Sequence, residues 1–147
     1  MIKPSRFSRG DSIGIISPAG PINRSHLEAD LHFLKTKGFE VHVAPHVYDR
    51  REYLAGKDED RLSDLEHMFR NPYIKAIFCS RGGYGSLRLL DRIDYDLIRK
   101  NPKIFVGYSD ITALLTAISK KTGLITFHGP MVKGLSSLPE TAWRNLV

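Results

Sequence analysis

Ser109 is the residue whose surroundings most suggest chemistry. It lies in Gly107-Tyr108-Ser109-Asp110, after the strand-like run 103–107 and before the helix-like run 111–115. A serine on such a turn exposes its hydroxyl, and free N–H groups at the helix N-terminus can stabilise developing negative charge. The Gly-x-Ser-x-Gly pattern of a nucleophile elbow is incomplete, because Ile111 occupies its last position. Ser109 and Asp110 are also good helix caps, and the local sequence by itself favours a cap.

A second candidate is the glycine-rich segment Ser80-Arg81-Gly82-Gly83-Tyr84-Gly85, which also separates a strand-like run from a helix-like one. Glycines let the backbone approach a ligand closely and present N–H groups to an anion. The segment matches neither Gly-x-Gly-x-x-Gly nor a phosphate-binding loop, so nothing specific favours a nucleotide. An oxyanion hole and a tight turn that needs positive φ explain it equally well.

His128 ends the last strand-like run and can lie at the same edge of a sheet. As a lone histidine it suits a structural or substrate-facing role better than that of general base. The other histidines have no partner at a spacing that completes a metal site or a catalytic triad, so we predict no metal. These surface or packing residues are His26, His32, His42, His46 and His67.

The composition is that of one globular domain. The 147 residues are 41% hydrophobic and 26% charged, and the formal net charge of +6 comes from scattered rather than clustered basic residues. This pattern argues against a nucleic-acid surface, although it could attract an anionic substrate. Cys79 is the single cysteine, which excludes an intrachain disulfide. No run has the length of a signal-peptide core or a membrane span, so we expect a cytoplasmic protein without a membrane partner.

Short apolar runs alternate with longer amphipathic ones, which predicts a mostly parallel sheet covered by helices on both faces. The expected fold is therefore a three-layer, Rossmann- or flavodoxin-like α/β domain over residues 1–147. The predicted strands are 12–17, 40–44, 75–79, 103–107 and 124–127. The predicted helices are one capped by Ser25 and ended by Gly38, then 58–70, 86–93, 94–100 and 110–121. The run 47–57 is predicted to be a surface loop, and 139–147 a helix start that runs out, which suggests truncation.

In a parallel sheet, the loops that leave the carboxyl ends of the strands share one edge, where ligands bind. Three loops qualify, because each follows a predicted strand. They are Ser17-Pro18-Ala19-Gly20, the glycine-rich segment and the Ser109 turn.

Taken together, four ordered motifs resemble the LD-carboxypeptidase family of serine peptidases, which includes muramoyl-tetrapeptide carboxypeptidases and microcin C self-immunity peptidases. The motifs span nearly the whole chain and are far more specific together than singly. They are Gly14-Ile15-Ile16-Ser17-Pro18-Ala19-Gly20, Ser80-Arg81-Gly82-Gly83-Tyr84-Gly85, Gly107-Tyr108-Ser109-Asp110 with Thr112-Ala113-Leu114, and His128-Gly129-Pro130-Met131.

The resemblance implies specific roles for these residues. Ser109 would be the nucleophile, and the backbone N–H groups of Asp110 and Gly83 would form the oxyanion hole, with Gly82 as the alternative to Gly83. Gly82, Tyr84 and His128 would contact substrate. The general base His and its orienting Glu would come from a C-terminal domain that nothing in these residues matches. The chain alone would then bind weakly and turn over little, and it would need no cofactor.

The implied substrate is a cytoplasmic murein tetrapeptide that loses its terminal D-alanine during cell-wall recycling. A microcin C-like peptidyl-nucleotide is the second choice. Two other classes stay open at this point: a flavodoxin-like module that binds a phosphorylated ligand, and a short non-catalytic relative that acts as a homodimer through an exposed sheet edge.

Overall fold

The computed structural model describes residues 1–144, and a five-stranded parallel sheet forms its centre. The strand order β2-β1-β3-β4-β5 is that of flavodoxin-like domains, which confirms the predicted fold class. The strands are β1 (Ser12–Ile16), β2 (Glu40–Val43), β3 (Ile74–Cys79), β4 (Ile104–Gly107) and β5 (Phe127–His128).

Helices cover both faces of this sheet. One group of helices packs together on one face, while α1 contacts the segment Leu135–Ser137 on the other, which gives three layers. The helices are α1 (Arg24–Thr36), α2 (Asp58–Arg70), α3 (Tyr95–Lys100), α4 (Thr112–Thr122) and α5 (Glu140–Arg144), with α2, α3 and α4 forming the group. Single 3-10 turns occur at Ser86–Leu89, Ser109–Ile111 and Leu135–Ser137.

Strand β1 is central in the sheet and buried along its whole length. Its Ile13, Ile15 and Ile16 have no exposed surface, because β-branched residues pack well between two helical layers. Gly14 is required here for packing, since a Cβ at this position would lie 2.6 Å from the sulfur of Met68. The first of the three candidate loops therefore follows directly after a fully buried strand, β1.

The start of α1 differs from the prediction, while its end agrees. Asn23 rather than Ser25 precedes the helix, and its side chain accepts a hydrogen bond from Arg50 instead of capping. Ser25 is exposed inside the first turn. Gly38 has the predicted left-handed conformation after the helix, with φ of 92°.

Two other elements are shorter than predicted. The expected helix 86–93 is reduced to the 3-10 turn Ser86–Leu89, because the N–H and hydroxyl of Ser86 both donate to Asp110. The expected strand 124–127 is replaced by the two-residue β5, and Leu124 instead bridges to Ile2. Both errors come from tertiary pairing that overrides a local apolar run.

The predicted loop 47–57 is irregular, as expected, but it is anchored rather than free. Its Leu54 and Ala55 are buried, and the Ala55 N–H donates to the carbonyl of Ala19 at 2.8 Å. At the C-terminus, α5 agrees with the predicted helix start, and positions 145–147 lie outside the described residues. Within residues 1–144, no helix is long and apolar enough to cross a bilayer.

Candidate active site

Hydrogen bonds join the three candidate loops at the carboxyl edge of the sheet. The Gly20 N–H donates to the carbonyl of Gly82 at 3.1 Å, which ties the first loop to the glycine-rich segment. The Ser86 N–H donates to the Asp110 carboxylate at 3.0 Å, and the Ser86 hydroxyl donates to the Asp110 carbonyl at 2.5 Å. The predicted shared edge is therefore present, with each loop holding the next.

Ser109 has an unusual backbone conformation at the end of β4. Its φ is 59°, in the left-handed region, which costs an ordinary residue about 1 kcal/mol. The residue is exposed and begins the 3-10 turn that leads into α4. Strain of this kind at a strand-to-helix turn is how a nucleophile elbow presents its hydroxyl.

The missing glycine of the elbow pattern is explained by packing. The side chain of Ile111, at the last position of the pattern, lies against the backbone of Gly107, so a Cβ there would be 2.5 Å from Ile111 Cγ2. Ile111 is fully buried. The turn therefore needs a glycine before Ser109 and an apolar residue after it, rather than glycine on both sides.

The glycine-rich segment lies directly beside the Ser109 hydroxyl. A Cβ added to Gly82 would be 3.1 Å from Ser109 Cβ and 3.2 Å from Ser109 Oγ. Such distances are tighter than ordinary van der Waals contact. Gly82 is thus the residue that lets this backbone approach the hydroxyl.

The peptide between Gly82 and Gly83 has a defined orientation. Its carbonyl faces Gly20, and in a trans peptide the N–H on the next residue points the opposite way. The Gly83 N–H therefore points away from the first loop. Gly83 has a φ of 120°, and a Cβ on it would lie 3.1 Å from Gly20 Cα, so glycine is needed on both steric and conformational grounds.

Arg61, for which the sequence predicted no role, is hydrogen-bonded to two of these loops. Its side chain is buried on α2, and Nη1 donates to the carbonyls of Pro18 at 2.6 Å and Gly85 at 3.0 Å. Nη2 pairs with Asp58. Burial lowers the pKa of Arg61 from its ordinary value, and Asp58 opposes that shift. Helical apolar spacing gives no signal for a buried arginine.

A cavity of about 200 Å³ lies in front of the Ser109 hydroxyl. Its lining contains two cationic side chains and, among the described residues, no carboxylate. The lining residues are Arg81, Gly82, Gly83, Tyr108, Ser109, Met131 and Lys133.

Two predicted substrate contacts lie outside this cavity. Tyr84 is 47% exposed, and its ring packs edge-on against Tyr53 with centroids 5.6 Å apart. His128 belongs to β5, its ring centroid is 6.2 Å from that of Tyr108, and it lines a different cavity beside α4. The roles of Tyr84 and His128 in substrate binding stay predictions.

Sequence spacing also missed a polar cluster after β2. His46 Nδ1 is 2.9 Å from Asp49 Oδ2, and Asp60 from α2 completes a group whose potential ligand atoms lie within 4.8 Å of one another. The hydrogen bond with Asp49 raises the pKa of His46 despite some desolvation. Burial also raises the pKa of the neighbouring Asp64 to about 6, although its carboxylate accepts a hydrogen bond from the backbone N–H of His46 at 3.1 Å.

Sequence comparison relates this chain to a family of carboxypeptidases. Residues 13–129 match the family model described as the LD-carboxypeptidase N-terminal domain. A probable murein peptide carboxypeptidase of Bacillus subtilis (strain 168) is 48% identical over 130 residues, which is 88% of this chain and 41% of the relative. The murein tetrapeptide carboxypeptidase of Pseudomonas aeruginosa is 41% identical, over 90% of this chain and 43% of that protein.

A solved structure of a related protein has a similar fold. The microcin C7 self-immunity protein MccF, in complex with aspartyl sulfamoyl adenosine, superposes with a TM-score of 0.90 at 34% identity. The match covers 97% of this chain and 44% of that one. The chain spans less than half the length of these relatives.

Proposed function

This chain belongs to the LD-carboxypeptidase family, and from that premise we propose that it is the nucleophile-bearing part of a serine carboxypeptidase that releases the terminal D-alanine from murein tetrapeptides. The observation that carries the proposal is the contact between Ser109 and Gly82. Ser109 has a strained backbone and an exposed side chain, and a Cβ added to Gly82 would be 3.2 Å from its Oγ. A helix cap requires neither the strain nor that neighbour.

The proposed reaction is acyl transfer through Ser109. Its Oγ forms a bond to the carbonyl carbon of the terminal peptide and gives up its proton to a base, while the carbonyl oxygen becomes an oxyanion. The C–N bond then breaks, and the D-alanine amine leaves with a proton. Water attacks the acyl-enzyme and releases the shortened peptide and the serine hydroxyl.

Two backbone N–H groups are proposed to hold the oxyanion. Gly83 is favoured over Gly82 because its N–H points away from Gly20, which already holds the Gly82 carbonyl. Asp110 stands at the start of the 3-10 turn, where an N–H has no partner within the helix. Each donor would contribute roughly 10² to 10³ in rate.

The base is proposed to lie outside this chain, on a C-terminal half like that of the relatives, as a histidine oriented by a glutamate. His128 does not suit this role, because it lines a different cavity from the one in front of Ser109. Residues 1–147 alone are therefore expected to be inactive, since an unactivated serine hydroxyl is a weak nucleophile. A cytoplasmic location and a homodimer also stay predictions.

A microcin-like peptidyl-nucleotide is the second candidate substrate, favoured by the similarity to MccF, which is bound to aspartyl sulfamoyl adenosine in its structure. Both substrates would use the same serine and oxyanion hole.

The test is product analysis with the full-length protein that the gene encodes. Murein tetrapeptide should be converted to tripeptide and free D-alanine, as detected by mass spectrometry. A tetrapeptide that ends in L-alanine is the matched control and should react much more slowly. Cleavage of a peptidyl-nucleotide with no release of D-alanine would instead assign the chain to the microcin branch.

A further inference from the structure

Arg81 and Lys133 are the two cations that line the cavity in front of Ser109. We propose that they form a subsite for the terminal carboxylate of the residue that is released. This inference rests on the carboxypeptidase function proposed above and names the group by which the enzyme would recognise a chain end.

The guanidinium of Arg81 lies beside the proposed oxyanion loop. Its Nη2 is 3.9 Å from where a Cβ on Gly83 would stand, and its Nε is 3.5 Å from the corresponding position on Gly20. Nη1 donates to the carbonyl of Pro21 at 3.2 Å, and within residues 1–144 this is the only hydrogen bond of the side chain. The guanidinium is thus held at one nitrogen and has N–H groups left for a ligand.

Lys133 reaches the same cavity from a segment that is anchored to the end of β3. The Val132 N–H donates to the carbonyl of Cys79 and the Lys133 N–H to that of Ser80, both at 3.0 Å. The backbone is therefore fixed beside the glycine-rich segment, while the side chain is exposed. Its position depends on the sheet and not on a mobile loop.

No neighbouring acid among residues 1–144 neutralises the charges of Arg81 and Lys133. In the part of the chain that the structure describes, no carboxylate lies within ion-pair distance of Arg81 or Lys133. Two unpaired cations in a cavity without an acid favour an anionic ligand.

Arg81 and Lys133 line the same cavity as the reacting serine, which is where a terminal carboxylate would lie. In a carboxypeptidase substrate the carboxylate is one residue step, about 3.8 Å, beyond the scissile carbonyl. An arginine fork matches a carboxylate with two parallel hydrogen bonds, and a lysine adds a point charge. The cavity therefore offers both kinds of cationic donor beside Ser109.

The experiment compares two substrates of the full-length protein, the murein tetrapeptide and the same peptide with a carboxamide at its C-terminus. Wild-type kcat/KM should favour the free acid by roughly 10-fold to 100-fold, the value of charge-assisted hydrogen bonds. Arg81→Gln and Lys133→Gln should each lower kcat/KM for the acid and leave the amide unchanged. Arg81→Lys, which keeps the charge, should retain part of the preference.

Lys35→Gln, an exposed charge removal on α1, is the matched control and should keep the wild-type preference. Equal loss on both substrates in Arg81→Gln and Lys133→Gln would overturn the subsite, as would a wild-type enzyme without preference. Lys133→Gln keeps the test valid if Arg81→Gln fails to fold, because Lys133 is exposed and its side chain has no ion pair within residues 1–144.

A second readout does not depend on turnover. N-acetyl-D-alanine should raise the melting temperature of the wild-type protein more than its amide does, and Lys133→Gln should remove the difference. If neither peptide is cleaved, the proposed function fails, and this shift still decides the subsite. If cleavage occurs without any difference between acid and amide in binding, the subsite fails and the function stands.

Discussion

The N–H of Gly20 donates to the carbonyl of Gly82 at 3.1 Å, and this bond sets the direction of the proposed oxyanion donor on Gly83. A Cβ on Gly20 would lie 2.8 Å from the Gly82 oxygen, so the two backbones meet without room for a side chain. In the proposed reaction, the first loop would act through the peptide that follows Gly82.

We predict that Gly20→Ala lowers kcat of the full-length enzyme by roughly 10²-fold and changes KM little, because a displaced donor is lost in the transition state. Steady-state kinetics on the murein tetrapeptide checks this. Gly134→Ala is the control: its φ of 97° makes alanine strained, but nothing lies within 4 Å of the added Cβ. It should lose stability and keep kcat, and an unaltered kcat in Gly20→Ala would refute the positioning role.

Arg61 should be needed for stability as well as for loop geometry. Replacing it with Met leaves the carbonyls of Pro18 and Gly85 and the Asp58 carboxylate without their buried cation. Asp58 still pairs with Arg88, so the cost comes chiefly from the two buried carbonyls that lose their donor, about 3 kcal/mol in all, which urea denaturation would measure. Arg70→Met, on an exposed position of the same helix, should cost far less. Similar losses in the two variants would show that Arg61 does not hold the loops.

Asp64 predicts an unusual pH dependence of stability. Burial raises its folded pKa to about 6, above the ordinary value of 3.8, so the folded state binds this proton more tightly than the unfolded state. Stability is then highest below the unfolded pKa and falls as pH rises through the folded one. His46, whose pKa is raised chiefly by Asp49, contributes in the same direction over a higher range of pH.

The free energy of unfolding should therefore decrease by about 1 kcal/mol or more between about pH 5 and about pH 8. Asp64→Asn keeps an oxygen for the His46 N–H and cannot ionise, so it should flatten most of this slope and be the more stable protein at the higher pH. Asp91→Asn, an exposed change, is the control and should leave the slope as it is. A wild-type slope of opposite sign would contradict the assignment.

The alternation of short apolar runs with amphipathic runs predicted the fold. The spacing of apolar residues in such runs reflects which faces of the strands and helices are buried. The Ser109 turn and the glycine-rich segment could also be found, since both combine special residue types with a position after a strand. Arg61 could not, because the type of a charged residue gives no indication that α2 buries it. The cluster of His46, Asp49 and Asp60 was missed because Asp60 approaches only through tertiary packing.

Where a predicted element was wrong, a contact with a residue distant in sequence determines the local structure. Leu124 continues an apolar run but bridges to Ile2, so β5 begins only at Phe127. Ser86 looks like a helix start, and instead its N–H and hydroxyl are both used by Asp110. The same two hydrogen bonds fix the glycine-rich segment against the serine turn, so this error fell on a functional part of the molecule.

The measurement that most directly tests the account is the release of D-alanine by the full-length protein and its Ser109→Ala variant. We predict a loss of roughly 10⁴-fold or more, as for removal of other serine nucleophiles, with unfolding unchanged because alanine has the same strain at φ of 59°. Ser119→Ala, on the exposed face of α4, should retain full activity. Substantial D-alanine release by a folded Ser109→Ala protein would contradict the assignment of Ser109 as nucleophile.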